Sequence, residues 1–338
     1  MSDPLTPTRP KIISVANQKG GVGKTTTTIN LAAALVELGY RVLVVDLDPQ
    51  GNASTGLGIA LDDREFTTYE LLLEDVDLQD VILDTAFKNL MIIPATVDLS
   101  SADIELISNE KRSFLLHDAL RQPQMAKFNL DYILIDCPPS LNLLTVNAMI
   151  ASHSVLVPLQ SEFFALEGLS QLMLTVREVR QTGNPKLRIE GVVMTMHDAR
   201  NNLSQQVEQD ARDNLGELVF KTRIPRNVRV SEAPSYSMPV LSYDSGSKGA
   251  LAYRDLAKEL VKAQEDYWTK KLSETKKPAQ PVVEATTESE EEDEEEVEFV
   301  KMEEEKVEEE GDVIVEVEDE AVVVEAARAT PRNIQYSV

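Results

Sequence analysis

The chain has 338 residues, 42% hydrophobic and 27% charged, enough for one large core or two modest ones in an ordinary globular protein. A single cysteine, Cys137, excludes an internal disulfide and an all-cysteine metal cage, and His117, His153 and His197 lack ligand spacing. No apolar run is long enough to cross a bilayer and the first ten residues lack the apolar core of an export signal, so a cytoplasmic location is expected.

The formal charge of −25 is unevenly placed. Residues 273–338 carry 23 of the 58 acidic side chains but only 6 of the 33 basic ones, a net of −17; the first 272 residues keep 35 acidic and 27 basic, a net of −8. The organisation expected from this is a short arm (1–10), a folded domain (11–272) and an acidic tail (273–338).

The first element of the domain is an apolar strand at 12–16. It runs straight into Asn17-Gln18-Lys19-Gly20-Gly21-Val22-Gly23-Lys24-Thr25-Thr26, and a helix is predicted over 25–38. Strand, glycine loop and helix N-terminus together make a phosphate cradle. Glycines let backbone N–H groups converge on an anion, and the helix start adds partial positive charge. In this pattern Lys24 reaches the β- and γ-phosphates and the Thr25 hydroxyl coordinates Mg²⁺. The usual Gly-x4-Gly-Lys-[Ser/Thr] spacing puts its first glycine at Gln18, which is not glycine, and Lys19 stands beside it.

A second strand at 41–46 ends in Asp46-Leu47-Asp48-Pro49-Gln50-Gly51-Asn52. Two carboxylates two residues apart face one side if the chain stays extended. Beside a triphosphate, one would organise Mg²⁺ and the other position a water; alternatively both merely end a strand and start a turn. A helix at 68–73, a strand at 90–94 and a helix at 111–121 follow. The next strand, 132–136, is apolar and ends in Asp136-Cys137-Pro138-Pro139, the form of a Walker B element, with Asp136 a Mg²⁺ ligand through water. Cys137 reads as a small buried residue.

The remaining predicted elements alternate: helix 143–151, strand 154–158, helix 165–181, strand 188–194, helix 202–214, strand 218–224 and helix 249–271. Strands rich in Val, Ile and Leu without polar alternation are buried on both faces. The fold class expected is therefore α/β, a mainly parallel sheet of P-loop NTPase type with helices on both faces and ligands at the carboxyl ends of the strands. Beyond 272, a Lys/Pro-rich linker leads into a glutamate-dominated stretch, 288–310, for which disorder is expected.

Lys-Gly-Gly-Val-Gly-Lys-Thr at 19–25, Asp-Leu-Asp-Pro-Gln-Gly-Asn at 46–52 and Ile-Asp-Cys-Pro-Pro-Ser at 135–140 resemble the ParA/Soj family of partitioning ATPases, of the deviant Walker A class. The stretch 224–235 resembles its chromosomal Soj branch, and the resemblance spans roughly 11–261. It implies a nucleotide-sandwich homodimer using ATP and Mg²⁺. Lys19 would be the signature lysine that crosses to the partner's phosphates. Gly20, Gly21, Val22, Gly23, Lys24, Thr25, Thr26 and Pro225 would hold the nucleotide. Asp48 would position the water, and Asp136, with a less defined part for Asp46, would serve the metal.

The family also implies nonspecific binding of double-stranded DNA, association with the nucleoid, and a ParB-like protein that stimulates hydrolysis. A body of net −8 needs a local basic patch for this. Arg200, Arg223, Arg226, Arg229 and Lys248 are the candidates, unless they pair with local acids such as Glu232 or Asp244. A MinD-like membrane ATPase shares the deviant loop, but the acidic C-terminus argues against binding anionic lipid. Iron-protein reductases need more cysteine. An ATPase of the same kind positioning another cargo would carry identical catalytic residues.

Overall fold

The computed structural model describes residues 10–275 apart from 75, 163 and 164. The predicted arm, save for Pro10, and the predicted tail beyond Thr275 lie outside the described residues. Among the described residues the apolar runs become the strands β1 (Lys11–Val15), β2 (Val42–Asp46), β3 (Leu83–Asp84), β4 (Leu90–Ile93), β5 (Tyr132–Asp136), β6 (Ser154–Gln160), β7 (Arg188–His197) and β8 (Val219–Pro225). They form one sheet in the order β3-β4-β2-β5-β1-β6-β7-β8. Every neighbouring pair is parallel except β3 with β4.

The helices are α1 (Lys24–Glu37), α2 (Asn52–Gly56), α3 (Thr68–Leu73), α4 (Leu78–Val81), α5 (Ala102–Glu105) and α6 (Leu115–Ala119), then α7 (Leu143–Ala151), α8 (Ala165–Thr182), α9 (Asn202–Leu215), α10 (Val228–Glu232), α11 (Val240–Tyr243) and α12 (Lys248–Thr275). Alternate strand residues feed two separate cores. Leu43, Val45, Ile133 and Ile135 pack with α3, α6, α7 and α8 on one face. Val42, Val44, Leu134 and Ile13 pack with α1 and α12 on the other. This double burial is why the strands lack polar alternation.

The chain winds from β1 toward β2 and β4 on one side, then toward β6, β7 and β8 on the other. Strand order thus reverses beside β1, the place where open parallel sheets bind ligands. Register brings Val15 and Asp46 level with Asp136, so the carboxyl ends of β1, β2 and β5 meet at one point.

Helix α12 crosses the whole depth of the sheet. It starts near α10, where a Cβ on the buried Gly249 would collide with Val230. At its other end Gln264 accepts a hydrogen bond from Tyr132 Oη (3.1 Å) and donates to Glu190 Oε1 (3.2 Å), near the amino ends of β5 and β7. The predicted helix 111–121 contracts to α6. Asn147 of α7 donates to the Arg112 carbonyl (2.7 Å) and accepts from the Leu116 amide (3.3 Å), so those backbone groups are satisfied without another helical turn.

Candidate active site

The loop between β1 and α1 is built around Gly21 and Gly23, whose φ values of 74° and 86° are open to glycine and strained for other residues. Gly23 caps α1 with no side-chain hydrogen bond and no acid in the first turn, leaving that turn's N–H groups and positive dipole end facing the loop. Two side chains hold the loop from outside. Asn17 donates to the Pro158 carbonyl of β6 (2.8 Å) and accepts from the Lys19 amide (3.0 Å). Thr195 of β7 donates to the Val22 carbonyl (2.8 Å).

Lys24 is only 6% exposed. Its ammonium donates to the Lys19 carbonyl at 3.3 Å, curled back over the glycine loop. Burial holds its pKa below the usual lysine value, against the attraction of Asp136, the Cys137 sulfur and Asp48.

Asp136, at the end of β5, is fully buried. Its Oδ1 accepts from Thr28 Oγ1 (3.1 Å), a hydroxyl that also lies 3.0 Å from the Lys24 carbonyl; its Oδ2 has no hydrogen-bond partner. Burial first, then the charge of Asp46, pushes the Asp136 carboxyl up to about 8, opposed by the hydroxyls of Thr25 and Thr28. An orphaned carboxylate oxygen at the end of a strand, next to a threonine on the glycine loop, fits a Mg²⁺ site completed by water and phosphate. No group of three or more His, Cys, Asp or Glu that could hold a metal occurs among the described residues, so a cation here depends on oxygens from elsewhere.

The two acids after β2 are not equivalent. Asp46 is completely buried, and Oδ2 accepts from the Ser54 amide (2.8 Å) and hydroxyl (2.7 Å), with the Asp48 amide on Oδ1 (3.3 Å). Burial raises its pKa to about 6 against those three donors. Asp46 thus organises the turn into α2. Asp48, 7% exposed, accepts from the Gln50 amide (3.0 Å) and lines a cleft of about 270 Å³ with Pro49, Gln50, Pro138 and Pro139.

Lys19 turns away from its own cradle: Nζ lies 3.3 Å from Glu162 Oε2, just past β6. Pro225 ends β8 on the same edge of the sheet, in register with His197.

The candidate basic residues share that edge, but most carry an acid of their own. Arg200 is 90% exposed and pairs with Asp198 (3.0 Å). Arg229 lies between Glu232 (2.9 Å) and Asp244 (3.3 Å). Arg223 donates to the buried Glu208 (2.6 Å), which also accepts from Arg212 (2.8 Å); His197 Nε2 is 3.0 Å from Glu208 without the angle of a hydrogen bond. Arg226 and Lys248 are exposed, and among the described residues neither has an ion pair.

Asn17, Thr28, Ser54, Glu162 and Thr195 were not singled out by sequence. Thr28 had a usable signal, since it sits one helical turn after Lys24 on the same face. The others act through contacts from distant segments.

A doubly wound parallel sheet, a glycine loop opening its first helix, a buried lysine over that loop and an orphaned acid on the neighbouring strand define a P-loop nucleotide-binding protein. Residues 10–189 match the AAA domain family. The chain is 53% identical over 256 residues to the chromosome partitioning protein ParA of Caulobacter vibrioides, covering 76% of this chain and 96% of that one. It is 54% identical over 251 residues to the sporulation initiation inhibitor protein Soj of Bacillus subtilis, covering 74% and 98%. A solved cobyrinic acid a,c-diamide synthase of Mycobacterium smegmatis, with ATP analogue and magnesium bound, superposes with a TM-score of 0.66 at 37% identity, covering 76% and 97%. The chain belongs to the ParA/Soj family of chromosome partitioning proteins, as its motifs predicted. No helix among the described residues is long and apolar enough to cross a membrane.

Proposed function

We propose that this chain is a Mg-ATP-dependent partitioning ATPase of the cytoplasm. Its ATP-bound sandwich dimer binds double-stranded DNA of the nucleoid without sequence preference, and hydrolysis stimulated by a ParB-like protein releases it. The observation that carries the reading is the orphaned Asp136 oxygen beside Thr25, set against a buried Lys24 at a glycine loop. Solved relatives crystallised with ATP analogue or ADP and magnesium support the choice of nucleotide and cation.

The amides of residues 20–26 and the Lys24 ammonium bind the phosphates, and Pro225 flanks the nucleotide. Thr25 directly and Asp136 through water would hold Mg²⁺, and the ion would supply positive charge to offset that of the phosphates. Asp46, level with Asp136 at the strand ends, would add its charge to the metal's surroundings while keeping the turn that carries Asp48 in place. Asp48, on the cleft, orients the attacking water. Lys19 of each copy reaches the other's phosphates, in the manner of an arginine finger supplied in trans. Arg226 and Lys248 meet DNA phosphates first; Arg200, Arg223 and Arg229 join by exchanging their own carboxylates for phosphate.

Asp48→Ala tests the scheme. ATP-dependent dimers should persist in light scattering and remain on DNA, while turnover falls about 10²- to 10⁴-fold, the usual loss when a positioned acid–base group is removed. Hydrolysis at the wild-type rate would assign the water to another group.

A further inference from the structure

We propose that Glu162 is a positioning residue that holds Lys19 on its own chain until a second copy arrives, and so sets the protein concentration at which the ATP dimer forms. The inference rests on the sandwich reading above and adds the contact that opposes it.

The Lys19 backbone is fixed at both ends: its amide is held by Asn17 Oδ1 (3.0 Å) and its carbonyl by Lys24 Nζ (3.3 Å). Only the side chain is free to change course, and its ammonium rests on Glu162 Oε2. Gln160, the last residue of β6, donates to the other carboxylate oxygen, which fixes the acceptor. The same β6–β7 edge holds the glycine loop through the Pro158 carbonyl and Thr195, so Glu162 stands on the scaffold that shapes the loop.

An ammonium held there is not extended toward a partner's phosphate. The pair is also the right strength to yield. Its side chains are 39% and 46% exposed, and exposed pairs are weak. A triphosphate offers far more negative charge than one half-solvated carboxylate. Arrival of ATP would also draw Lys24 from the Lys19 carbonyl toward phosphate, loosening one of the two backbone ties. Filling the cradle thereby prepares the neighbouring lysine to leave.

Removing one exposed pair shifts an equilibrium by about threefold, and a symmetric dimer breaks two of them, for about tenfold in all. Glu162→Gln keeps the shape and loses the charge; Glu162→Ala serves as a second variant. Dimerisation is followed by sedimentation velocity with Mg²⁺ and a non-hydrolysable ATP analogue, beside analogue affinity measured on monomer. Both variants should dimerise at about tenfold lower protein concentration, with monomer affinity for the analogue unchanged. The gap from wild type should narrow as salt is raised, because only wild type has the pair to screen; a purely structural role would leave it constant. Variants that dimerise at the wild-type concentration or above, or a gap indifferent to salt, overturn the proposal while the sandwich stands. If wild type and variants all stay monomeric with analogue bound, the sandwich reading falls and takes this one with it.

Discussion

Lys24→Ala isolates the contribution of one ammonium to nucleotide binding. This side chain is buried by the fold itself, so most of its desolvation is met during folding rather than on ligand binding. Its present acceptor, the Lys19 carbonyl at 3.3 Å, is a long and modest one. Exchanging it for phosphate oxygens creates two charge-assisted hydrogen bonds, each worth about 1.5–3 kcal/mol. Less about 1 kcal/mol for the carbonyl bond given up, the loss is about 2–5 kcal/mol, or at least roughly one and a half orders of magnitude in affinity. Isothermal titration of Mg-ATP into wild type and variant measures it, with thermal unfolding of the nucleotide-free proteins as a control on the fold. An affinity within about fivefold of wild type, in a folded variant, would mean that the phosphates lie elsewhere and that the cradle assignment is wrong.

Two further outcomes follow from the charges. Arg226→Glu should weaken DNA binding more than Arg200→Glu and lower the salt slope by about one, because Arg226 feels Asp198 only at longer range whereas Arg200 must first part from a direct ion pair with it; a salt titration of DNA affinity showing the reverse order would refute this. Asp136 is raised to about 8 from an ordinary 3.8, so between those values the folded state keeps a proton that the unfolded chain has released. Stability of the nucleotide-free protein should then be greatest at the acid end of that window and fall as pH rises from 6 to 8, by up to about 1.4 kcal/mol per unit. Asp136→Asn should flatten the curve; equal slopes in denaturant unfolding would show that Asp136 is already ionised.

Much of the fold could be read from the chain because the sheet is buried on both faces. Seven of the eight strands stand out as runs rich in Val, Ile and Leu, with ends displaced by a few residues; β8 departs from double burial, with Lys221 and Arg223 exposed. The eighth, Leu83–Asp84, is a two-residue antiparallel edge, too short for any periodicity. The short helices α2, α4, α5, α10 and α11 were missed for the same reason. They span four or five residues each and owe their form to neighbours. At the site, the motifs marked Lys24, Thr25 and Asp136. Their spacing alone left Asp46 and Asp48 interchangeable; the resemblance gave the water to Asp48, and the capture of the Asp46 carboxylate by Ser54, eight residues away, could not be read from either. Nor could they reveal Glu162, 143 residues from Lys19. The arginines recurring at 223, 226 and 229 looked alike in sequence, yet Glu208 lies against one of them and Glu232 with Asp244 against another.

Helix α12 has 28 residues and is about 42 Å long. Gly249 seats its first turn against α10, and Gln264 ties its later turns to the amino ends of β5 and β7. Its exposed positions past Gln264, such as Glu265 and Thr269, are thus remote from Lys19, Asp48 and the cleft. A fluorophore attached there would report on the molecule's whereabouts and tumbling while leaving the glycine loop and the cleft untouched.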